Sequence, residues 1–407
     1  MIVEAFYVII KIEMKAKKIP KRFFIELFLF AGLGVFVVLF CIKCFSLVRE
    51  NPVTKKDAQP EPIITDSASR ILFTGTTFWG RNTNGVARAS ELGVDYPFAQ
   101  FNSLGRENYQ AWIGNLECPI TENDHTKYEE DELFIFNCHT DYLENVSKYW
   151  TAFSLGTNHA DNWGEEGIEI TKQNLDSIGV QYFGHYRYDN ATENCGIISL
   201  PTIIKYDNGS EFEYEMPLGF CSAHGVFGIP TDEAIENIQR FAAAIPTIVM
   251  PHMGVEYENS ADELRTWLFH KMIDAGADMV LADHPHHVQN TEAYNGHLIA
   301  YSMGNFMFDQ LFDETIYSAA IDATAHFAAD TDFDAWESIA KQCKEKHGDC
   351  LDDVINSGLP RLNITWSDYD YVATTNESTR QTRLASDSER VWVGNRLDWA
   401  NTLNGLK

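Results

Sequence analysis

Five short apolar runs, "RILFTG", "WTAFSLG", "PTIVMPH", "ADMVLADH" and "HLIAYSMG", each stop at a Gly or a His. Runs of this length read as buried strands. Helical patterns lie between them. "EEGIEITKQNLDSIG" spaces Ile168, Leu175 and Ile178 along one face, and "DELRTWLFHKMIDAG" does the same with Leu264, Leu268 and Met272. Both close on a Gly suited to a helix C-terminus. Strand, polar loop and helix in repetition specify an α/β fold whose functional residues gather at strand ends. No fixed-period repeat is visible. With 407 residues, 45% of them hydrophobic, the chain can build a sizeable core.

Charge is distributed unevenly. The net charge is -28; residues 1–56 hold ten Lys/Arg against four Asp/Glu, which leaves 21 against 55, or -34, for the rest. So acidic a surface repels nucleic acid, and no nucleic-acid partner is expected. The basic residues 1–22 precede "FFIELFLFAGLGVFVVLFCIKCF", interrupted only by Glu26 and Lys43 near its ends. This predicts a transmembrane helix over 23–47, with the N-terminus cytoplasmic and the remainder extracytoplasmic. No small-x-small site follows, so an uncleaved anchor is expected rather than a signal peptide. Met14 opens "MKAKKIPKRFF" and reads as the more natural start. The polar, proline-containing stretch 48–69 reads as an extended linker.

Cys41 and Cys44 fall in the anchor. Six further cysteines face an exterior that permits disulfides, and Cys118 with Cys138 and Cys343 with Cys350 are candidate pairs. Outside the anchor there is no Cys-x-x-Cys zinc pattern, and no Gly-x-Ser-x-Gly elbow of a serine hydrolase.

Five strand ends carry polar chemistry: "GTTFWGR" (75–81), "GNLECPIT" (114–121), "SLGTNHADNWGEEG" (154–167), "PHMGVEY" (251–257), and "ADHPHHVQN" running on into "YSMGNFMFD". In this order and wording they resemble the CapA family of poly-gamma-glutamate capsule synthesis, related to calcineurin-like metallophosphoesterases, over about residues 70–312. The resemblance implies a four-layer α-β-β-α sandwich over residues 70–330, with residues 331–407 as a C-terminal extension. It also implies a dinuclear metal site in a cell-envelope protein.

Position by position, it makes Glu117 the bridging carboxylate and Asn158 the amide ligand. His252 and His284 become imidazole ligands of one ion, and His286 serves the other. His159 takes the place of the general acid, while Arg81, with Asn115, Glu256 and Tyr257, falls on the substrate side. Imidazole, carboxylate and amide oxygen together suit Mn, Fe or Zn, as one or two ions. Two positions depart from the pattern. Thr76 stands where a carboxylate is expected, and Asn162 where an Asp is; Asp161 and Asp283 are the carboxylates at hand to compensate. With the position of Thr76 and His286 weakened, one firm metal site at most, and impaired hydrolysis, are therefore expected. The implied partners are an anionic envelope polymer or its precursor, the membrane through the helix, and other capsule-synthesis subunits; a polymer-binding or scaffold subunit is the alternative role.

Ser302 and Asn305 are expected to shape a turn, Trp79 to line a groove or pack, and His287 to face solvent. Beyond residue 313, "DFDAWESIAKQCKEKHGDCLDDVINSG" predicts two helices around a Cys-bounded turn. "RLNITWSDYDYVATT" predicts a strand or hairpin, and "SERVWVGNRLDWANTLNGLK" one more strand and a short helix.

Overall fold

The computed structural model describes residues 62–376 and 379–406. The expected anchor at 23–47 and all but the last residues of the linker lie outside them. Among the described residues no helix is long and apolar enough to cross a membrane.

The strand β1 (Ile64–Thr77) organises the molecule. Its first half pairs antiparallel with Cys195–Tyr206; its second half, on the same edge, pairs parallel with β2 (Ala111–Leu116). The other edge pairs with Tyr317–Phe327 and, at the tip, with Asn305–Met307. Among the described residues, hydrogen bonds thus join fourteen strands into one branched sheet, where the resemblance implied two sheets. Successive β1 side chains alternate between faces. Ile71 and Phe73 enter one apolar cluster, which includes Phe220, Ile248 and Val280. Leu72 enters another, built on Trp112, Trp150 and Phe306.

All five sequence-read strands lie on observed ones: β1, Ala152–Ser154, Thr247–His252, Met279–Leu281 and His297–Ala300. The two helices appear at Gly164–Ser177 and Glu263–Asp274, the second opened by Asp262, whose side chain accepts from the Arg265 N–H. In the tail, helices span Phe333–Glu345 and Leu351–Asn356, and the strand Ile364–Thr375 extends the sheet beside Tyr317–Phe327.

The last segment departs from the sequence reading. It forms two helices, Asp387–Leu397 and Trp399–Gly405, and no strand. A capping box of Ser386 and Glu389 starts the first, and Val393 and Leu397, four residues apart, are buried together, as a helix face requires. Disulfides join Cys118 to Cys138 and Cys343 to Cys350, the two candidate pairs. A third joins Cys195 to Cys221, directly opposed residues of neighbouring antiparallel strands.

Candidate metal centre

The polar residues stand where strands stop. The Glu117 N–H donates to the Thr77 carbonyl (3.1 Å), which fixes the carboxylate just past the tips of β1 and β2. Thr157 donates its hydroxyl to the Leu116 carbonyl (2.8 Å), tying the loop that carries Asn158 and His159 to the same tip. The Asp283 N–H donates to the Pro251 carbonyl and its carbonyl accepts from the Met253 N–H, both at 3.0 Å, so the Asp283–His287 turn lies alongside His252. His284 (φ 102°) and His286 (φ 58°) both occupy left-handed backbone that non-glycine residues avoid, with the fixed ring of Pro285 between them. Such strain persists where the surroundings dictate it.

Glu117, His252 and His284 come together: one donor atom from each lies within 4.8 Å of the others. All three are buried. Asn158 Oδ1 is 2.8 Å from His252 Nε2, a separation that also suits two ligands of one ion, given metal–ligand bonds of about 2.1 Å. His286 Nε2 stands 4.0 Å from Glu117 Oε1. Its Nδ1 meets Asn305 Oδ1 at 2.8 Å. Asn305 therefore orients an imidazole, beyond the turn-shaping role read for it, whereas Ser302 accepts from the Gly304 N–H within the turn.

Electrostatics set this cluster apart. Burial, then the charges of Asp283 and Glu256, push the Glu117 carboxyl well above the usual carboxylate range. Burial does the same to Asp283. It drives His252 and His284 well below the usual imidazole value, and His286 and His159 down to about 4. Both Glu117 oxygens, His252 Nδ1 and His284 Nδ1 are buried without a hydrogen-bond partner. Orphaned donors and acceptors of this kind are costly unless something supplies the missing interaction.

Other expected residues occupy different roles. His159 stacks on Phe136 and places Nδ1 3.0 Å from Asn162 Oδ1, which also accepts from the Phe136 N–H. Nδ1 is therefore the donor and Nε2 carries the lone pair, as a neutral imidazole rather than an acid. Asp161 is half-buried and belongs to no metal-holding group among the described residues. Arg81 is already paired: its guanidinium grips Asp309 at 2.5 and 3.1 Å and lies over the Phe136 ring. Asn115 is wholly buried and donates to Asp283 (2.6 Å) instead of facing a substrate. Glu256 and Tyr257 are exposed at the rim, with the Tyr257 ring 5.9 Å from His286. Trp79 is buried and donates to the His139 carbonyl, so it packs. His287 does not face solvent; it is 1% exposed, with Nδ1 3.0 Å from Asn259 Oδ1, because the turn folds back over the sheet.

Sequence reading missed His224 and Asp309. His224 ends the strand Glu211–His224 directly opposite His252, is buried, and leaves Nε2 without a partner. "PLGFCSAHG" is an apolar run stopping at His, the same signal that marked "PTIVMPH".

Fold and centre define a class: a mixed α/β protein with a strand-end group of side chains able to hold a metal ion. Within that class the chain belongs to the family described as bacterial capsule synthesis protein PGA_cap, whose model matches residues 70–310. It is similar to "PGA biosynthesis protein CapA" of Bacillus subtilis (strain 168), 27% identical over 322 residues, covering 76% of this chain and 78% of that one. It is also similar to "Capsule biosynthesis protein CapA" of Bacillus anthracis, 28% identical over 273 residues and 62% of each chain. A solved structure, TT1561 of Thermus thermophilus, overlaps at a TM-score of 0.31 and 11% identity, covering 62% of this chain and 93% of that one.

Proposed function

We propose that this chain is a membrane-anchored, extracytoplasmic CapA-like protein that acts in the synthesis, export or attachment of an anionic capsule polymer through a metal-dependent, hydrolase-type centre. The observation that carries the reading is the buried group of Glu117, His252 and His284, with both Glu117 oxygens and one nitrogen of each imidazole left without a hydrogen-bond partner. These atoms fit a divalent cation such as Mn, Fe or Zn: two neutral imidazoles, a carboxylate and the Asn158 oxygen are the donors such ions take. A cation there supplies Lewis acidity toward a phosphoryl or acyl oxygen of the substrate. The chain's own groups do the rest. Asn158 and Glu117 orient His252, Asn305 holds the His286 proton on Nδ1, and the exposed Tyr257 ring offers a stacking face at the rim.

The finer architecture belongs to the same proposal. A four-layer sandwich over residues 70–330 is supported by the branching of the sheet at β1 and by two separate apolar clusters. The anchor at 23–47 and the extracytoplasmic placement are supported by the apolar sequence and by three disulfides.

A second reading, a polymer-binding or scaffold subunit of a capsule synthase without hydrolytic turnover, is favoured by one specific set of observations. Thr76 brings no charge, Arg81 is neutralised by Asp309, and His159 faces Asn162 as a neutral base. The test is metal analysis of the detergent-purified chain with a screen for phosphoester and amide hydrolysis. Stoichiometric metal that is lost in His252→Ala and His284→Ala, together with turnover, supports the enzyme. Metal without turnover favours the binding subunit, and a metal-free wild-type chain sinks the site.

A further inference from the structure

We propose that Asp309 sets the substrate class of the strand-end centre: by holding Arg81 in a closed pair it withholds that cation from anions, so the centre takes an uncharged acyl carbonyl, as an amide presents, and turns away phosphoryl groups. The proposal rests on the metal-centre reading above and narrows its substrate.

The pair is held from both sides. Asp309 accepts four hydrogen bonds, from Arg81 Nη2 (2.5 Å) and Nε (3.1 Å) and from the Asn82 side-chain amide (3.0 Å) and backbone N–H (3.3 Å). Its own carbonyl accepts from Arg380 Nε at 3.2 Å. The Arg81 and Asp309 side chains are 10% and 1% exposed. Arg81 opens its helix (Arg81–Ala89) at φ 43°, left-handed backbone that a non-glycine residue holds where its surroundings dictate it. Three rings box the guanidinium, whose carbon lies 4.2 Å from the centre of Phe136, 5.4 Å from Phe78 and 5.8 Å from Phe308. Two of these rings also touch the site: Phe136 lies 3.8 Å from the His159 ring and Phe308 5.0 Å from the His286 ring. Arg81 therefore stands beside the centre with its fork and its faces occupied.

The guanidinium on the other flank is committed as well. Arg265 is 3% exposed, and a Cβ on Gly254, two residues past His252, would collide with its Nη1. It donates to Asp262, Gln289 Oε1 and the Ser260 carbonyl. Phosphoryl transfer spreads negative charge over three equatorial oxygens and calls for cations or donors around them. Acyl transfer develops charge on one oxygen, which a single cation position can serve. With both guanidinium groups committed, the centre meets the second demand and not the first. In amide hydrolysis the oxygen of water bonds to the acyl carbon and the C–N bond breaks. The amine leaves with one proton of the water, and the carboxyl keeps the other.

The test uses the full chain in detergent, loaded with Mn²⁺. Inorganic phosphate is titrated by calorimetry, and hydrolysis is assayed on 4-nitrophenyl phosphate and on an N-acyl-γ-glutamyl 4-nitroanilide. The wild type is expected to cleave the anilide and not the phosphate ester. Asp309→Asn keeps the shape and frees the charge of Arg81, so it should tighten inorganic phosphate at least about ten-fold, a gain that adding Arg81→Gln should erase. Should D309N fail to fold, the double variant, which leaves no buried charge unpaired, decides. Phosphate affinity within about three-fold of wild type supports the proposal, and a loss of about ten-fold shows Arg81 already serving anions and overturns it. Turnover of the phosphate ester by the wild type, or no gain of phosphate in folded D309N, overturns it too. A wild type that holds no Mn²⁺, or turns over neither substrate, fails the reading of the centre instead; the phosphate titrations of the variants then still uphold or overturn the role of Asp309.

Discussion

His224 donates its Nδ1–H to the Tyr186 carbonyl and buries Nε2 with no partner. Burial lowers its pKa to about 4, against about 6.5 for a free imidazole. The sign follows from proton uptake. Between pH 6.5 and 4 the unfolded chain protonates this residue and the folded, metal-free chain does not, so it costs the fold nothing above pH 6.5 and destabilises it progressively as pH falls toward 4. Over that span one such group accounts for at most about 3 kcal/mol. His224→Gln should therefore flatten the fall of Tm between pH 6.5 and 4 in chelator-treated protein, as read by thermal melts at closely spaced pH values. Parallel Tm curves for the two proteins would contradict the assignment. The same residue shows what can be read at this scale. "NLE", "NH", "PHMG" and "HPH" bring Glu117, Asn158, His252, His284 and His286 to neighbouring strand ends because each motif abuts a strand. The partners that retune Arg81 and Asn115 stand far away in sequence: Asp309 is 228 residues from Arg81 and Asp283 is 168 from Asn115. No local pattern announces them.

Among the elements, the helix Asp387–Leu397 depends on its first turn. The Ser386 hydroxyl accepts from the Glu389 N–H, and the Glu389 carboxylate accepts from the Ser386 N–H and from Arg383. The hydrogen bond from Arg383, then the cap, lowers Glu389 to about 2. A depressed carboxyl stabilises above the unfolded value of about 4.5 and loses that effect as pH falls through about 2. Glu389→Gln should cost about 1 kcal/mol near neutral pH, a figure kept small because the Arg383 side chain that pairs with it is 35% exposed. The difference from wild type should vanish near pH 2, measured by denaturant unfolding at each pH; a constant difference would assign the effect to the cap geometry alone. Elements of this size were unevenly legible. Strands buried on both faces, such as Thr247–His252 and Met279–Leu281, announce themselves as apolar runs. The long pair Cys195–Tyr206 and Glu211–His224 is only half legible: "PLGFCSAHG" is such a run, but Pro201 interrupts the first strand and the charged "EFEYE" opens the second. "SERVWVGN" misled the other way: alternating Val and Trp imitate a strand, but the capping box and the burial of Val393 with Leu397 decide for a helix.

For the molecule as a whole, charge constrains the proposed partner most. The chain carries 59 acidic against 31 basic residues, and the rim of the centre adds exposed Glu256, while Arg81 is spent on Asp309. An anionic polymer approaching such a surface meets repulsion, the reverse of nucleic-acid recognition by a basic groove. Raising NaCl from about 20 to about 200 mM shortens the screening length from roughly 20 Å to roughly 7 Å, which suppresses the long-range field and leaves contacts at a metal centre nearly intact. Affinity for poly-gamma-glutamate, measured by fluorescence anisotropy of a labelled oligomer with Mn²⁺ present, should therefore tighten several-fold across that range. Prior chelation should abolish binding at every salt concentration, because the cation is then the attraction that offsets the surface charge. Binding that weakens with salt would place the polymer on a basic patch away from the strand-end centre, and binding that survives chelation would remove the metal from recognition altogether.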